Sequence, residues 1–192
     1  MKLLQIDSSI TGGDSISRSL TAAIVAKLVA ADPAATVTIR DLAAAPLPHL
    51  ELAAYPGGES EAALASTAVL EEFLDADIVV IGAPMYNFTF PSQLKAWLDR
   101  VIVAGRTFRH GPNGVEGLIP GKRVIVAVSR GNFYGPGAVG DGLEHLQTLL
   151  AGLFGFIGVT PDFIVAEGVR AGADQLAAAL ATANQAITRL AA

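Results

Sequence analysis

The run Ile78-Val79-Val80-Ile81-Gly82-Ala83-Pro84 constrains this chain more than any other segment. Four branched apolar residues in succession cannot alternate between a wet and a dry face. The segment therefore reads as a strand over 77–82 buried on both sides, the kind that sits inside a parallel sheet. The proline stops the strand and leaves Met85-Tyr86-Asn87-Phe88 at its carboxyl end. Open α/β sheets bind ligands at that end. A tip with an amide between two rings suits a flat heteroaromatic ligand. Phosphate alone has no use for the rings, and a metal needs ligands that the tip lacks.

The rest of the chain supplies the partners such a strand requires. Lys2 to Asp7 reads as a first strand, and Leu20, Ile24 and Leu28 recur at helical spacing within Ser17 to Ala31. Thr36 to Arg40 alternates as a second strand. Residues 43 to 59 carry three prolines and two glycines and read as an irregular excursion. A helix over Ser60 to Leu74, with Ser60 as N-cap, precedes the third strand. Pro91 suits the first turn of a helix that runs to about Ala104 and stops at Gly105. Residues 106 to 121 are too rich in glycine and proline for a helix and suit a small hairpin or flap from Thr107-Phe108-Arg109. Arg123 to Val128 and Phe163 to Ala166 complete five strands. Helices follow over Leu143 to Phe154 and Ala173 to Leu190. This βα alternation predicts an α/β fold, a parallel sheet with helices on both faces and right-handed crossovers. Five strands in one domain, residues 1–192, favour the flavodoxin-like strand order 2-1-3-4-5.

Composition removes several function classes. The chain has no cysteine, so disulfides and thiol chemistry are excluded. Its net charge of −5, without a basic cluster, argues against nucleic acid. His49, His110 and His145 are scattered and give no metal-ligand pair, and there is no Gly-x-Ser-x-Gly nucleophile elbow. The longest apolar stretch, Leu149 to Val159, is too short to span a bilayer, and the first residues do not read as a signal peptide. These features point to a soluble cytoplasmic protein, and the glycosylation pattern at Asn87-Phe88-Thr89 reads as accidental. The 52% apolar content is high for a soluble chain, which fits a surface covered by another subunit or simply alanine-rich helices.

Three polar loops follow the first, third and fourth strands and would share one sheet edge. The first, Ser8 to Ser17, is rich in hydroxyls and opens a helix. Backbone amides at a helix N-terminus hold phosphate, helped by the helix dipole. No Walker lysine and no Gly-x-Gly-x-x-Gly accompany the loop, which leaves a monophosphate, or else an ordinary turn with Ser17 as helix cap. The second loop is Met85 to Phe88; burying Asn87 without partners is costly, which favours a ligand over a core-filling turn. The third, Ser129 to Asn132, offers amides and the Arg130 guanidinium to the polar edge of a ring, or forms a solvated turn with Arg130 in an ion pair.

Here the chain resembles a known family, the FMN-dependent NADH:azoreductases among the flavodoxin-like quinone reductases. The match runs through Ser8-Ser9, Ser15 to Ser17, Ala83 to Phe88, Pro91, Leu94-Lys95, Trp97 and Asp99. It continues through Ala104-Gly105, Thr107-Phe108, Gly114 to Leu118, Gly121-Lys122, Ser129-Arg130-Gly131 and Gly155 to Gly158. The resemblance implies FMN, with its phosphate held by Ser9, Ser15, Ile16 and Ser17. It implies that Met85, Tyr86, Asn87 and Phe88, with Ser129, Arg130, Gly131 and Asn132, contact the isoalloxazine ring. Positive potential near Gly131 and Arg130 would stabilise the reduced ring. It further implies a homodimer, NADH as electron donor, and a quinone or azo compound as acceptor, the two taking turns on one flavin face in a ping-pong order. Phe108, Phe133 and Tyr134 are candidates to sandwich the substrate, or else core residues. Asn132 stands where a second glycine is expected; asparagine tolerates a left-handed backbone but brings a side chain near the ring. The stretch 43 to 62 looks shorter than in other members. The rival readings are a non-enzymatic flavodoxin-type electron carrier and an FMN reductase acting on other acceptors. Trp97, spaced from Leu94 and Val101 on one helical stripe, reads as packing.

Overall fold

The computed structural model describes residues 1–112 and 114–191. Seven strands form, β1 (Lys2–Asp7), β2 (Thr36–Asp41), β3 (Ile78–Pro84), β4 (Phe108–Gly111), β5 (Gly114–Gly117), β6 (Arg123–Arg130) and β7 (Asp162–Glu167). Five helices accompany them, α1 (Ile16–Ala31), α2 (Glu61–Asp75), α3 (Ser92–Val101), α4 (Leu146–Phe156) and α5 (Ala173–Arg189). The parallel sheet has the order β2-β1-β3-β6-β7, and β4 and β5 pair separately as an antiparallel hairpin. With the hairpin set aside, the five parallel strands follow the order expected from the alternation. Asn113, within the anticipated flap, lies outside the described residues.

The pleat divides the core in two. Ile78 and Val80 of β3, with Ile125 and Ala127 of β6, pack against α1 and α5, while Val79 and Ile81 face a second cluster built from α2, α3 and α4. Burial of each such side chain stabilises the fold by roughly 1.5–3 kcal/mol. The central strand is therefore apolar throughout, as its sequence requires. Trp97 is fully buried, with its ring edge-on to Phe73 at 5.6 Å. Among the described residues, no helix is long and apolar enough to cross a membrane.

Several boundaries differ from the sequence expectation, and three helix ends show why. Helix α1 is capped by Ser15, not Ser17: the Ser15 hydroxyl accepts the Arg18 N–H, and Ser17 is buried in the first turn. Helix α3 ends at Val101 rather than Ala104, because the buried Thr107 hydroxyl takes the Val103 N–H at 2.9 Å and folds the chain into a turn. Helix α4 begins at Leu146 rather than Leu143, since the His145 N–H is donated across the molecule to the Phe88 carbonyl at 3.1 Å.

Candidate active site

The first loop is anchored before it becomes a site. The buried Asp7 carboxylate at the end of β1 accepts hydrogen bonds from Gln5 Nε2 and Thr21 Oγ1, both at 2.8 Å. Gly82 is required opposite, because a Cβ there would stand 3.1 Å from both Asp7 Oδ1 and Thr21 Cγ2. Ser8 Oγ donates to the Gly82 carbonyl at 2.7 Å, which ties the loop to β3. Arg18 then reaches back from α1. Its Nη2 and Nε donate to the Ser9 carbonyl at 2.8 and 3.3 Å, and its two Nη atoms grip the Asp41 carboxylate at 2.6 and 2.7 Å.

The Arg18 guanidinium holds the Asp41 carboxyl well below its usual range, at about 2. A depressed folded-state value contributes stability above the ordinary carboxyl value and loses it as pH falls through the folded one. The pairing is therefore intact at neutral pH and fades from about pH 4 toward pH 2. Both side chains are partly exposed, so solvent screening limits the contribution to roughly 1 kcal/mol. Asp41→Asn is expected to lower the melting temperature at pH 7 and to leave it nearly unchanged below pH 2, as thermal melts across that range would show.

With the loop held, its hydroxyls cluster. Ser9 Oγ lies 3.0 Å from Thr11 Oγ1 and 3.3 Å from Tyr86 Oη, and Ser15 Oγ lies 3.2 Å from Ser17 Oγ. Two hydroxyls that share one hydrogen bond leave a proton without an acceptor. The loop thus presents spare O–H donors beside the N-terminus of a 16-residue helix, the chemistry that suits a bound oxyanion.

The second loop is a strained two-residue hairpin turn. Tyr86 and Thr89 exchange backbone hydrogen bonds at 2.8 and 3.2 Å, and Asn87 and Phe88 between them have φ of 48° and 71°. Two consecutive positive values define the type I′ turn, in which asparagine is favoured first and glycine second. Phenylalanine in the second place costs of order 1–3 kcal/mol, and such outliers concentrate at functional sites. The strain is held in place by the Phe88 carbonyl accepting from His145 and by the Phe88 ring standing edge-on to Tyr134 at 6.4 Å.

The third loop starts inside β6, which runs to Arg130, and Gly131 and Asn132 bend away after it. The carbonyls of Arg130, Gly131 and Asn132 accept from Val169, Arg170 and Gly168 at 3.1, 3.1 and 3.3 Å. Asn132 does not use the left-handed backbone that asparagine tolerates. Among the described residues the N–H groups of Asn87, Gly131 and Asn132 donate to no protein acceptor.

The three loops enclose a cavity of about 720 Å³ at the carboxyl edge of the sheet. It lies where the strand order reverses between β1 and β3, the switch point at which open sheets of this topology bind ligands. A profile described as the flavodoxin-like fold matches residues 1–190. The chain belongs to the flavodoxin-like family. Within it, the chain is 58% identical over 200 aligned positions to an FMN-dependent NADH:quinone oxidoreductase of Gluconacetobacter diazotrophicus, with 99% of both chains covered. A second such oxidoreductase, of Bradyrhizobium diazoefficiens, is 56% identical, with 99% of this chain and 98% of the relative covered. Among solved structures, an azoreductase of Bacillus anthracis superposes with a TM-score of 0.85 at 26% identity, covering 99% of this chain and all of that one.

In this flavodoxin-like chain the cavity brings together Ser9, Ser15 and Ile16, then Met85, Tyr86 and Asn87, then Ser129, Gly131 and Asn132, with Tyr134 from the substrate candidates. Other expected site residues sit elsewhere. Ser17 is buried behind Ser15. Phe88 is half exposed beyond the turn. Arg130, the last residue of β6, does not line the cavity that Ser129 before it lines, as strand alternation dictates. It lies between Glu144 and Glu167, at 3.5 and 3.6 Å, and over the Tyr134 ring. Phe108 packs on Phe156 at 4.6 Å, at the foot of the hairpin. Phe133 lies against Gly168. Within one chain, neither ring lines the cavity. Thr11, Asp14, Pro84, Val169, Arg170 and Leu176 do line it and had not been singled out. Thr11 and Asp14 lie inside the hydroxyl-rich loop. Val169 and Arg170 enter because the turn after β7 hydrogen-bonds to the carbonyls of residues 130–132, a long-range contact that local sequence does not encode.

Proposed function

We propose that this protein is an oxidoreductase that binds FMN in the cavity and carries reducing equivalents from NADH to quinones and azo compounds, in the cytoplasm. The observation that carries the reading is one cavity lined both by the hydroxyl-rich loop at the start of α1 and by Met85, Tyr86 and Asn87. The donor set fits FMN: the α1 N-terminus with Ser9 and Ser15 for the phosphate, and the unpaired amides of Asn87, Gly131 and Asn132 for the polar edge of the ring. Relatives bearing the name FMN-dependent NADH:quinone oxidoreductase support it at full length. Bound FMN supplies the two-electron hydride chemistry, which belongs to the cofactor rather than to any side chain.

The chain's own residues bind and orient. Arg18 keeps the phosphate loop closed by engaging Asp41 and the Ser9 carbonyl. The strained turn presents Asn87 to the cavity. Tyr134 forms a wall with an aromatic face for stacking, worth roughly 0.5–1.5 kcal/mol per ring pair beyond burial. Donor and acceptor would take turns at the same cavity in a ping-pong order. The exposed apolar side chains of Phe88, Phe133, Val139 and Leu143 are the rim against which we place the second subunit of a homodimer, and Phe108 would reach a substrate only across such an interface.

Purified protein should be yellow. NADH should bleach it under nitrogen, and a naphthoquinone or an azo dye should restore the colour. A flavin that binds but is not bleached by NADH would leave the electron-carrier role instead. Asn87→Ala is expected to weaken FMN binding about fivefold to tenfold by fluorescence titration, through loss of the amide and of the residue type that tolerates the left-handed turn. Asn87→Gly keeps the turn and is expected to lose less.

A further inference from the structure

Most arginines of this protein are committed. Arg18 pairs with Asp41, Arg40 with Glu72, Arg106 with Glu71, Arg109 with Glu116 and Arg130 with Glu144 and Glu167. Arg170 differs. It lines the 720 Å³ cavity, yet among the described residues no carboxylate lies within 4.0 Å of it and its guanidinium donates no hydrogen bond. The residue is exposed, and its backbone and stem are located by Gly131. The Arg170 N–H is donated to the Gly131 carbonyl at 3.1 Å. Its side-chain stem lies over Gly131, with Cδ, Cγ and Cβ at 3.2, 3.5 and 3.7 Å from the place a Cβ would occupy there. The missing side chain at Gly131 thus makes the bed in which the arginine stem rests.

The result is an uncommitted cation at the wall of an aromatic-binding cavity, in a protein whose formal net charge is −5. A planar guanidinium of this kind recognises oxyanions by paired hydrogen bonds that an ammonium does not reproduce. We propose that Arg170 is a specificity-determining residue of the cavity, which recognises an oxyanion on the molecule that enters: a carboxylate or sulfonate on the aromatic acceptor, or the pyrophosphate of the dinucleotide donor. The proposal rests on the reading of the cavity as a flavin site that admits these molecules in turn.

Arg170→Gln and Arg170→Lys in the FMN-loaded protein test it. The acceptor arm compares a neutral naphthoquinone with its sulfonated analogue. The donor arm compares NADH with a reduced nicotinamide riboside that carries no phosphate. Arg170→Gln is expected to raise KM for the sulfonated acceptor about fivefold relative to the neutral one at low ionic strength, with kcat little changed. The lysine variant is expected to recover part of the effect, and 0.5 M salt to erase most of it. A shift confined to NADH against the riboside assigns the oxyanion to the donor and equally supports the role. Unchanged selectivity in both arms overturns it while leaving the oxidoreductase reading intact. Calorimetric binding of naphthalenesulfonate is a readout independent of turnover. Equal affinity in wild type and Arg170→Gln would overturn the proposal even in protein that oxidises no NADH, the result that would instead refute the oxidoreductase reading.

Discussion

Replacing Gly117 with alanine is expected to lower the melting temperature by about 6–12 °C, the equivalent of roughly 3 kcal/mol in a domain of this size. A Cβ at this position would stand 2.2 Å from Ile157 C and from Gly158 N, and 2.4 Å from the Ile157 carbonyl oxygen. These are backbone atoms, so no rotamer change relieves the clash. Either the β4–β5 hairpin lifts away from the end of α4, or the turn after α4 moves. Both responses separate Phe108 from Phe156 and open the core cluster that Phe108 helps to close. Gly111→Ala, at the other end of the hairpin, is the control. Its Cβ would meet only the Gly114 carbonyl at 3.6 Å, an ordinary contact, and its melting temperature should match wild type. A Gly117→Ala protein that melts with wild type would show that the hairpin does not dock as described.

Arg130→Gln is expected to cost about 2 kcal/mol and to weaken FMN binding about tenfold. Arg130 is nine-tenths buried and is the only cation, among the described residues, that lies between Glu144 and Glu167. Removing its charge leaves two partly buried carboxylates to repel each other. Those carboxylates organise the cavity wall. Glu167 accepts the Tyr134 N–H at 2.6 Å, and Glu144 accepts the Gln147 N–H at 2.8 Å at the start of α4. The effect on FMN would therefore pass through Tyr134 and the segment that carries it, not through a guanidinium on the ring. The triple variant Arg130→Gln/Glu144→Gln/Glu167→Gln separates the two accounts. It is expected to recover most of the lost stability and affinity, with the flavin absorption maxima at their wild-type positions. If the triple variant binds FMN as poorly as Arg130→Gln alone, Arg130 acts on the ligand directly.

The apolar run read as a strand over 77–82 declared its place inside the sheet, because burial on two faces demands unbroken apolar composition and that demand is met locally. The strand over 123–128 was legible as a strand, and both run two residues further than the sequence suggests. The chemistry of the edge loops was legible locally too. Hydroxyls before a helix suit either a bound oxyanion or a helix cap, and an asparagine between rings after a strand suits a ligand better than a core. The weaker ends of α3 and α4 were misread because Thr107 and the Phe88 carbonyl, not helix propensity, decide where those helices stop and start.

What sequence alone determined here is the order of elements, the two-sided core and the identity of the loops at one edge. Only the tertiary structure decided which side chains enter the cavity. Arg130 turns away and Arg170 lines the cavity because each residue's placement depends on pleat parity at the end of β6, on the hydrogen bonds that residues 168–170 make to the carbonyls of residues 130–132, and on a glycine that leaves room for an arginine stem. Such placements arise from contacts between segments some forty residues apart, and no local pattern encodes them.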